Sequence, residues 1–178
     1  VKAGSLLSSR FDSEIFDAIT FWSVFEHLYD PLETLAEAKR VLKPGGVIAM
    51  SMPNFDSLER MLFRSKWFCL QPPFHIYHYS PKIMKRIVAE SGMNIEKVYY
   101  STTATSLINS MRIAKGYSIS VQSAEDANDA TPTRISGSES RIKQFAKNTV
   151  FDCAIVPALR FADLLRVGAY TNYIIRKT

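Results

Sequence analysis

Apolar residues in this chain fall into short continuous runs separated by stretches of helical spacing. The run "FDAITF" (Phe16 to Phe21), β-branched and aromatic and entered from a polar loop, predicts a strand. Asp30, Pro31 and Glu33 then predict a helix start, with Asp30 as N-cap, Pro31 as first helical residue and Glu33 as capping-box partner. Leu32, Leu35, Ala36 and Leu42 share one face of that helix. Lys39, Arg40 and Lys43 suit its negative end, and Gly45 suits a left-handed stop. "VIAMSM" follows with almost no alternation, which predicts a strand buried on both faces, hence a parallel sheet flanked by helices. Strand, helix and strand in this order predict a right-handed crossover unit.

The pattern repeats further along. Ser80 and Pro81 open a second helix, with Ile83, Met84, Ile87 and Val88 inward and Gly92 closing it, and "NIEKVYYST" continues as a strand. Phe151, Ala154, Ile155, Ala158, Leu159 and Ala162 keep helical spacing across Pro157, which must kink or divide the segment. Gly168 would end that helix, and "AYTNYIIR" is a final strand. Residues from about 118 to 141 read as an irregular polar insertion centred on "SAEDANDATPTRISGSES". The whole reads as a single α/β domain over residues 1–178, part of a doubly wound sheet. A first residue Val1, with a strand arriving soon after it, predicts a piece of a longer protein.

Composition sharpens this reading only slightly. With 47% hydrophobic and 22% charged residues, the 178-residue chain has the balance of a globular protein with a core. Its net charge of +5 is spread along the chain, which favours solvated helix faces over a nucleic-acid surface. Cys69 and Cys153 lack metal spacing and fit buried thiols in a reducing, cytoplasmic setting. No run reaches the roughly 18 apolar residues of a spanning helix. The apolar face from Phe151 to Leu165 fits a core-facing helix better than peripheral membrane contact, although both remain open.

In open α/β sheets, ligands bind outside the carboxyl ends of the strands. One such end is "WSVFEHLYD", carrying Trp22, Ser23, Glu26 and His27; another carries Pro53 and Asn54. A third segment, "PPFHIYHYS", places His75, Tyr77, His78 and Tyr79 just before a helix. Glu26 is expected to tie its loop to a neighbouring amide. His75 and His78 lack a third ligand, so no metal is assigned to them. Phe63, Trp67 and Phe68 read either as an aromatic cap over a pocket or as a helix packed on the sheet.

These residues resemble a family. "FDAITFWSVFEHLYDPLETLAEAKRVLKPGGVIAMSMPN" is similar to the middle of class I S-adenosylmethionine-dependent methyltransferases. Its marks are the FD-hydrophobic strand, the E-H-L-x-D-P turn, the R-V-L-K-P-G-G junction and the strand ending in P-N. "PPFHIYHYSPKIMKRIVAESGMNIEKV" resembles the family's next block. The likeness implies a Rossmann-like sheet without its first three strands, whose last strand is antiparallel. S-adenosylmethionine is the implied cofactor. Gly4, Ser5 and Leu6 fall where the family touches adenine, with Ser5 in place of its usual Asp, and Trp22, Ser23 and His27 fall at the methionine end. The family's glycine-rich turn and its ribose-binding acidic residue are not in this sequence.

The resemblance implies a small-molecule, glycan or lipid-like acceptor, with a hydroxyl as the methylated group. Pro53, Asn54, His75 and Tyr79 would contact it. His27 and His75 are the candidate catalytic residues, since methyl transfer to a hydroxyl needs its proton removed; a histidine that merely stabilises the turn is the alternative at position 27. These site residues are expected to converge on one crevice. Two other readings stand beside the enzyme: a non-catalytic methyltransferase-like scaffold that self-associates through an exposed strand edge, and a nicotinamide-dependent oxidoreductase.

Overall fold

The computed structural model describes residues 3–116 and 156–178. The expected insertion at about 118–141, the helical positions Phe151, Ala154 and Ile155, and Cys153 lie outside the described residues.

Four strands form one sheet: β1 (Phe16–Trp22), β2 (Leu42–Pro53), β3 (Met93–Ser101) and β4 (Tyr170–Lys177). Their order is β1-β2-β4-β3. β1 runs parallel to β2, and β4 is antiparallel to both β2 and β3. The last strand is antiparallel, as the resemblance implied, and it inserts between two strands that both run against it. This arrangement brings the carboxyl ends of β1, β2 and β3 to one side of the sheet, together with the start of β4.

The helices are α1 (Pro31–Val41), α2 (Leu58–Phe63), α3 (Pro81–Glu90), α4 (Ala104–Ala114) and α5 (Val156–Leu164). Ser80 caps α3 by accepting from Ile83 N–H, and Ser57 and Thr103 cap α2 and α4 in the same way. The core joins Leu35 and Ala38 of α1 and Met84 and Val88 of α3 to Ile48, Met50, Met52, Tyr173 and Ile175 of the sheet. That face is closed. The opposite face of β2, with Val47, Ala49 and Ser51, is only half-buried, so the expected burial on both faces is corrected. The inward turns of the helices are also shifted from expectation. Leu32 (57% exposed), Ala36 and Ile83 face outward, while Thr34, Leu35, Ala38 and Val41 turn inward from α1.

Asp30 stands at the N-cap of α1, but its side chain makes no capping hydrogen bond; its carbonyl accepts from Thr34 N–H at 2.9 Å. The basic residues expected at the end of α1 are spent on neighbours. Lys39 Nζ donates to the carbonyls of Ser91 (2.9 Å) and Gly92 (3.0 Å), closing the end of α3, and Lys43 pairs with Asp17 at 2.8 Å.

Gly45 has φ +74°, as a left-handed glycine should, yet it does not stop the helix. α1 ends at Val41, and β2 runs from Leu42 through the Pro-Gly-Gly segment. Pairing jumps there from Phe16↔Leu42 to Ala18↔Val47, so Gly45 belongs to an irregularity inside the strand. Gly46 is needed for a different reason: a Cβ there would meet the Lys43 carbonyl at 2.9 Å and the Asp17 carbonyl at 3.2 Å. Gly45→Val is expected to cost about 1–3 kcal/mol through backbone strain alone. Gly46→Ala should destabilise by forcing backbone apart. Urea unfolding midpoints of the two variants check both costs, and a Gly45→Val midpoint equal to the parent's would rule out the strain.

Candidate functional site

The turn that leaves β1 is short and tightly packed. Ser23, at φ +50°, donates its N–H to the Ser51 carbonyl at 2.9 Å, which ties the end of β1 to β2. Phe25 is fully buried, in edge contact with Phe21 (6.0 Å between ring centres) and against Tyr79 (5.3 Å). The Glu26 carbonyl accepts from Ile76 N–H (3.0 Å) and Tyr77 N–H (3.2 Å). Those two bonds lock the loop before α3 onto the turn after β1.

Two histidines meet across that lock. The ring centres of His27 and His75 are 4.6 Å apart, with planes at 70°. His27 Nδ1 lies 2.8 Å from the Phe74 carbonyl and His75 Nδ1 lies 2.7 Å from the Cys69 carbonyl. A carbonyl can only accept, so each Nδ1 carries hydrogen and each neutral ring keeps its lone pair on Nε2. Burial holds His75 below its ordinary pKa, outweighing the Cys69 carbonyl, and His27 and His78 push the same way as burial.

Glu26 lies beside them, 2% exposed. Neither of its carboxylate oxygens has a hydrogen-bond partner among the described residues. The expected tie to a neighbouring amide is therefore made by its backbone carbonyl and not by its side chain. Burial raises its pKa, against the opposing pull of its own backbone N–H and of His27.

His27 and His75 are brought together; the other expected site residues are placed differently. Trp22 is 58% exposed at the end of β1, next to exposed Ser23. Gly4, Ser5 and Leu6 precede a short turn at Leu7–Ser9 that packs against α1, where Ser5 Oγ accepts from Ser8 N–H at 3.1 Å. Pro53 is buried in register with Tyr170. Asn54 is fully buried and donates through Nδ2 to the Gly168 carbonyl at 2.9 Å, while its Oδ1 accepts from Asp56 N–H at 3.0 Å. Tyr79 is buried, its carbonyl accepts from Phe55 N–H at 2.9 Å, and its hydroxyl has no partner among the described residues. Pro53 and Asn54 are thus tied to the segment that enters β4, and Tyr79 to Phe25, rather than to the histidine pair.

His78 donates from Nε2 to the Leu70 carbonyl at 3.2 Å and packs, with its ring tilted, against both Phe55 and Trp67. Trp67 is itself buried, which makes this aromatic group a packing element instead of a cap. Cys69 is a buried thiol beneath the loop, pushed by burial up to about 11. A groove of about 700 Å³ between the start of α1 and α3 is lined by Tyr29, Leu32, Tyr77, Tyr79 and Ile83. Neither His27 nor His75 lines it, so the groove and the histidine pair are separate features.

Sequence reasoning missed the carboxylate. A glutamate before a histidine in a polar-looking turn gives no sign that it will be buried without a partner.

A sheet whose first three strands run one way and whose last runs against them, with helices packed on it, is the arrangement of the Rossmann-like methyltransferase class. Residues 7–98, more than half of the 178, match the methyltransferase domain family, and the chain belongs to it. Over 96 residues it is 27% identical to a protein of Mycolicibacterium smegmatis described as a probable S-adenosylmethionine-dependent methyltransferase, covering 54% of this chain and 35% of that one. Among solved structures, a SAM-dependent methyltransferase of Thermotoga maritima aligns over 98% of this chain and 62% of its own, at 13% identity and a TM-score of 0.56. A SAM-dependent methyltransferase of Archaeoglobus fulgidus aligns over 99% and 66%, at 14% identity and a TM-score of 0.53. These likenesses show the fold. The chain spans only 17–35% of the length of the curated relatives it matches. Among the described residues, no helix is long and apolar enough to cross a membrane.

Proposed function

We propose that this chain is part of a single methyltransferase domain that methylates a hydroxyl of a small-molecule, glycan or lipid-like acceptor in the cytoplasm. The observation that carries the reading is the His27–His75 pair, 4.6 Å apart beside the carboxyl end of β1 in a chain of this family. S-adenosylmethionine, the family's cofactor, would supply a methyl group already activated on a sulfonium. The residues present fit one end of it: the exposed Trp22 ring and Ser23 offer a surface beside the strand end. They include no glycine-rich turn and no acidic strand end for the ribose.

What the chain itself contributes is positioning and proton removal. An acceptor hydroxyl held against the pair would give its proton to an imidazole Nε2, leaving the oxygen free to take the methyl group as its bond to sulfur breaks. The hydrogen bonds from each Nδ1 to a backbone carbonyl keep that lone pair available and the rings fixed. A second reading, a non-catalytic interaction scaffold, draws support from β1, a sheet-edge strand whose outer positions Ala18 and Thr20 are exposed.

The test is transfer of labelled methyl groups to a panel of hydroxyl acceptors. His27→Ala and His75→Ala are each expected to lower turnover by about 10²–10⁴ while the circular dichroism spectrum stays that of the parent. Folded variants with parental turnover would exclude the histidines as proton acceptors. No transfer to any acceptor by the complete protein would favour the scaffold.

A further inference from the structure

We propose that Glu26, His27 and His75 form a binding site for one divalent transition-metal cation, zinc being the ion that suits them best. One ligand atom from each residue lies within 4.8 Å of the others. Tetrahedral ligands at about 2.0–2.2 Å from an ion stand roughly 3.3–3.6 Å apart, so the three atoms would draw together by up to about 1.5 Å on binding.

Three independent features make this a built site and not a chance grouping. The first is the orientation of the imidazoles. Both donate from Nδ1 to backbone carbonyls, at 2.8 Å and 2.7 Å, which leaves Nε2 as the free lone pair of each ring. Metal-binding histidines are held in this way, because the outer hydrogen bond fixes the tautomer and raises the basicity of the free nitrogen. The second is the carboxylate. Glu26 is 2% exposed with both oxygens unpartnered among the described residues. A buried carboxylate with no donor nearby but its own backbone N–H is costly, and a cation supplies the missing partner. The third is rigidity. Glu26 and His27 lie on one turn and His75 on another, and the Glu26 carbonyl clamps the two through Ile76 N–H and Tyr77 N–H.

Two imidazoles and one carboxylate suit zinc, and three protein ligands leave a fourth position open, as in sites where the ion takes part in chemistry. Cys69 is not a fourth ligand: its Sγ lies 3.5 Å from both Ser106 Oγ and Tyr170 Oη. His78 is excluded too, since its Nε2 is committed to the Leu70 carbonyl. Nε2 of each histidine would hold the ion, so the ion and an acceptor's proton would compete for the same lone pairs, and the proton-accepting role proposed above belongs to the metal-free chain. The site does not depend on methyl transfer, and its test is made without cofactor or acceptor.

The protein is stripped with a chelator, dialysed, and titrated with zinc by calorimetry against a competing chelator; cobalt(II) serves as the spectroscopic probe. One ion per chain is expected, with a cobalt spectrum typical of nitrogen and oxygen ligands. His27→Ala and His75→Ala should each weaken affinity by at least about 100-fold, since even outer-shell partners of a metal are worth 10–100-fold. Glu26→Gln, which keeps the side chain's shape, should weaken it too while the stripped protein melts no lower than the parent. His78→Gln should leave zinc affinity unchanged. The site is overturned if the parent binds no ion, or if the folded His75→Ala and Glu26→Gln variants bind as tightly as the parent.

Discussion

Titrated with S-adenosylmethionine, the 178-residue chain by itself is expected to show no saturable heat at micromolar concentrations. In the family the resemblance points to, a glycine-rich turn and an acidic strand end hold the methionine carboxylate and the ribose. The sequence contains no G-x-G-x-G, and by the resemblance Ser5 takes the place of an Asp that would meet the adenine. Ser5 is further committed to its own turn through Ser8. Each charge-assisted hydrogen bond not made is worth roughly 1.5–3 kcal/mol. Two such losses weaken binding by about 10²–10⁴. Sedimentation run beside the calorimetry reads a linked property, because β1 lies at the edge of the sheet and can pair with a second chain. Micromolar binding by a monomer would show that Trp22, Ser23 and the turn at Gly4 to Leu6 are sufficient by themselves.

How far the sequence spoke depended on which physical signal each element carries. α1 and α3 were readable because a proline at the first helical position and a regular apolar spacing both survive tertiary packing. α4 was not. It presents no proline, and its deepest residues are Ser106 and Ser110, whose hydroxyls donate to the Glu59 carboxylate at 2.8 Å and 2.6 Å. A helix that buries hydroxyls around a buried carboxylate has no apolar period to detect, and its partner lies some 47 positions upstream of Ser106. The Pro-Gly-Gly segment misled in the other direction. It reads as a break between elements, yet β2 passes through it, because Gly45 supplies the left-handed turn and Gly46 the space. At the site, the histidines were legible from the strand ends and the resemblance. The packing that joins them was not, since it depends on Phe25 and on one backbone carbonyl, neither of which leaves a pattern in the chain.

Phe25→Ala is expected to cost about 3–5 kcal/mol, the range for removing a buried aromatic ring. Phe25 is fully buried and lies between Phe21 and Tyr79, one residue before Glu26 and two before His27. Deleting the ring leaves a cavity among core residues next to the site. The loss is a large part of the 5–15 kcal/mol that keeps a domain folded, so the variant should unfold far more readily in urea. Phe25→Leu, which keeps most of the volume, should lose much less. The pair of variants separates packing from any role of the ring in binding. If the site is held by this core contact, the separation of His27 and His75 will change with the Phe25→Ala cavity. Imidazole resonances measured by nuclear magnetic resonance in the Phe25→Leu and Phe25→Ala proteins report that change. A Phe25→Ala midpoint within the error of the parent's would mean that the turn after β1 is fixed by the Glu26 carbonyl alone.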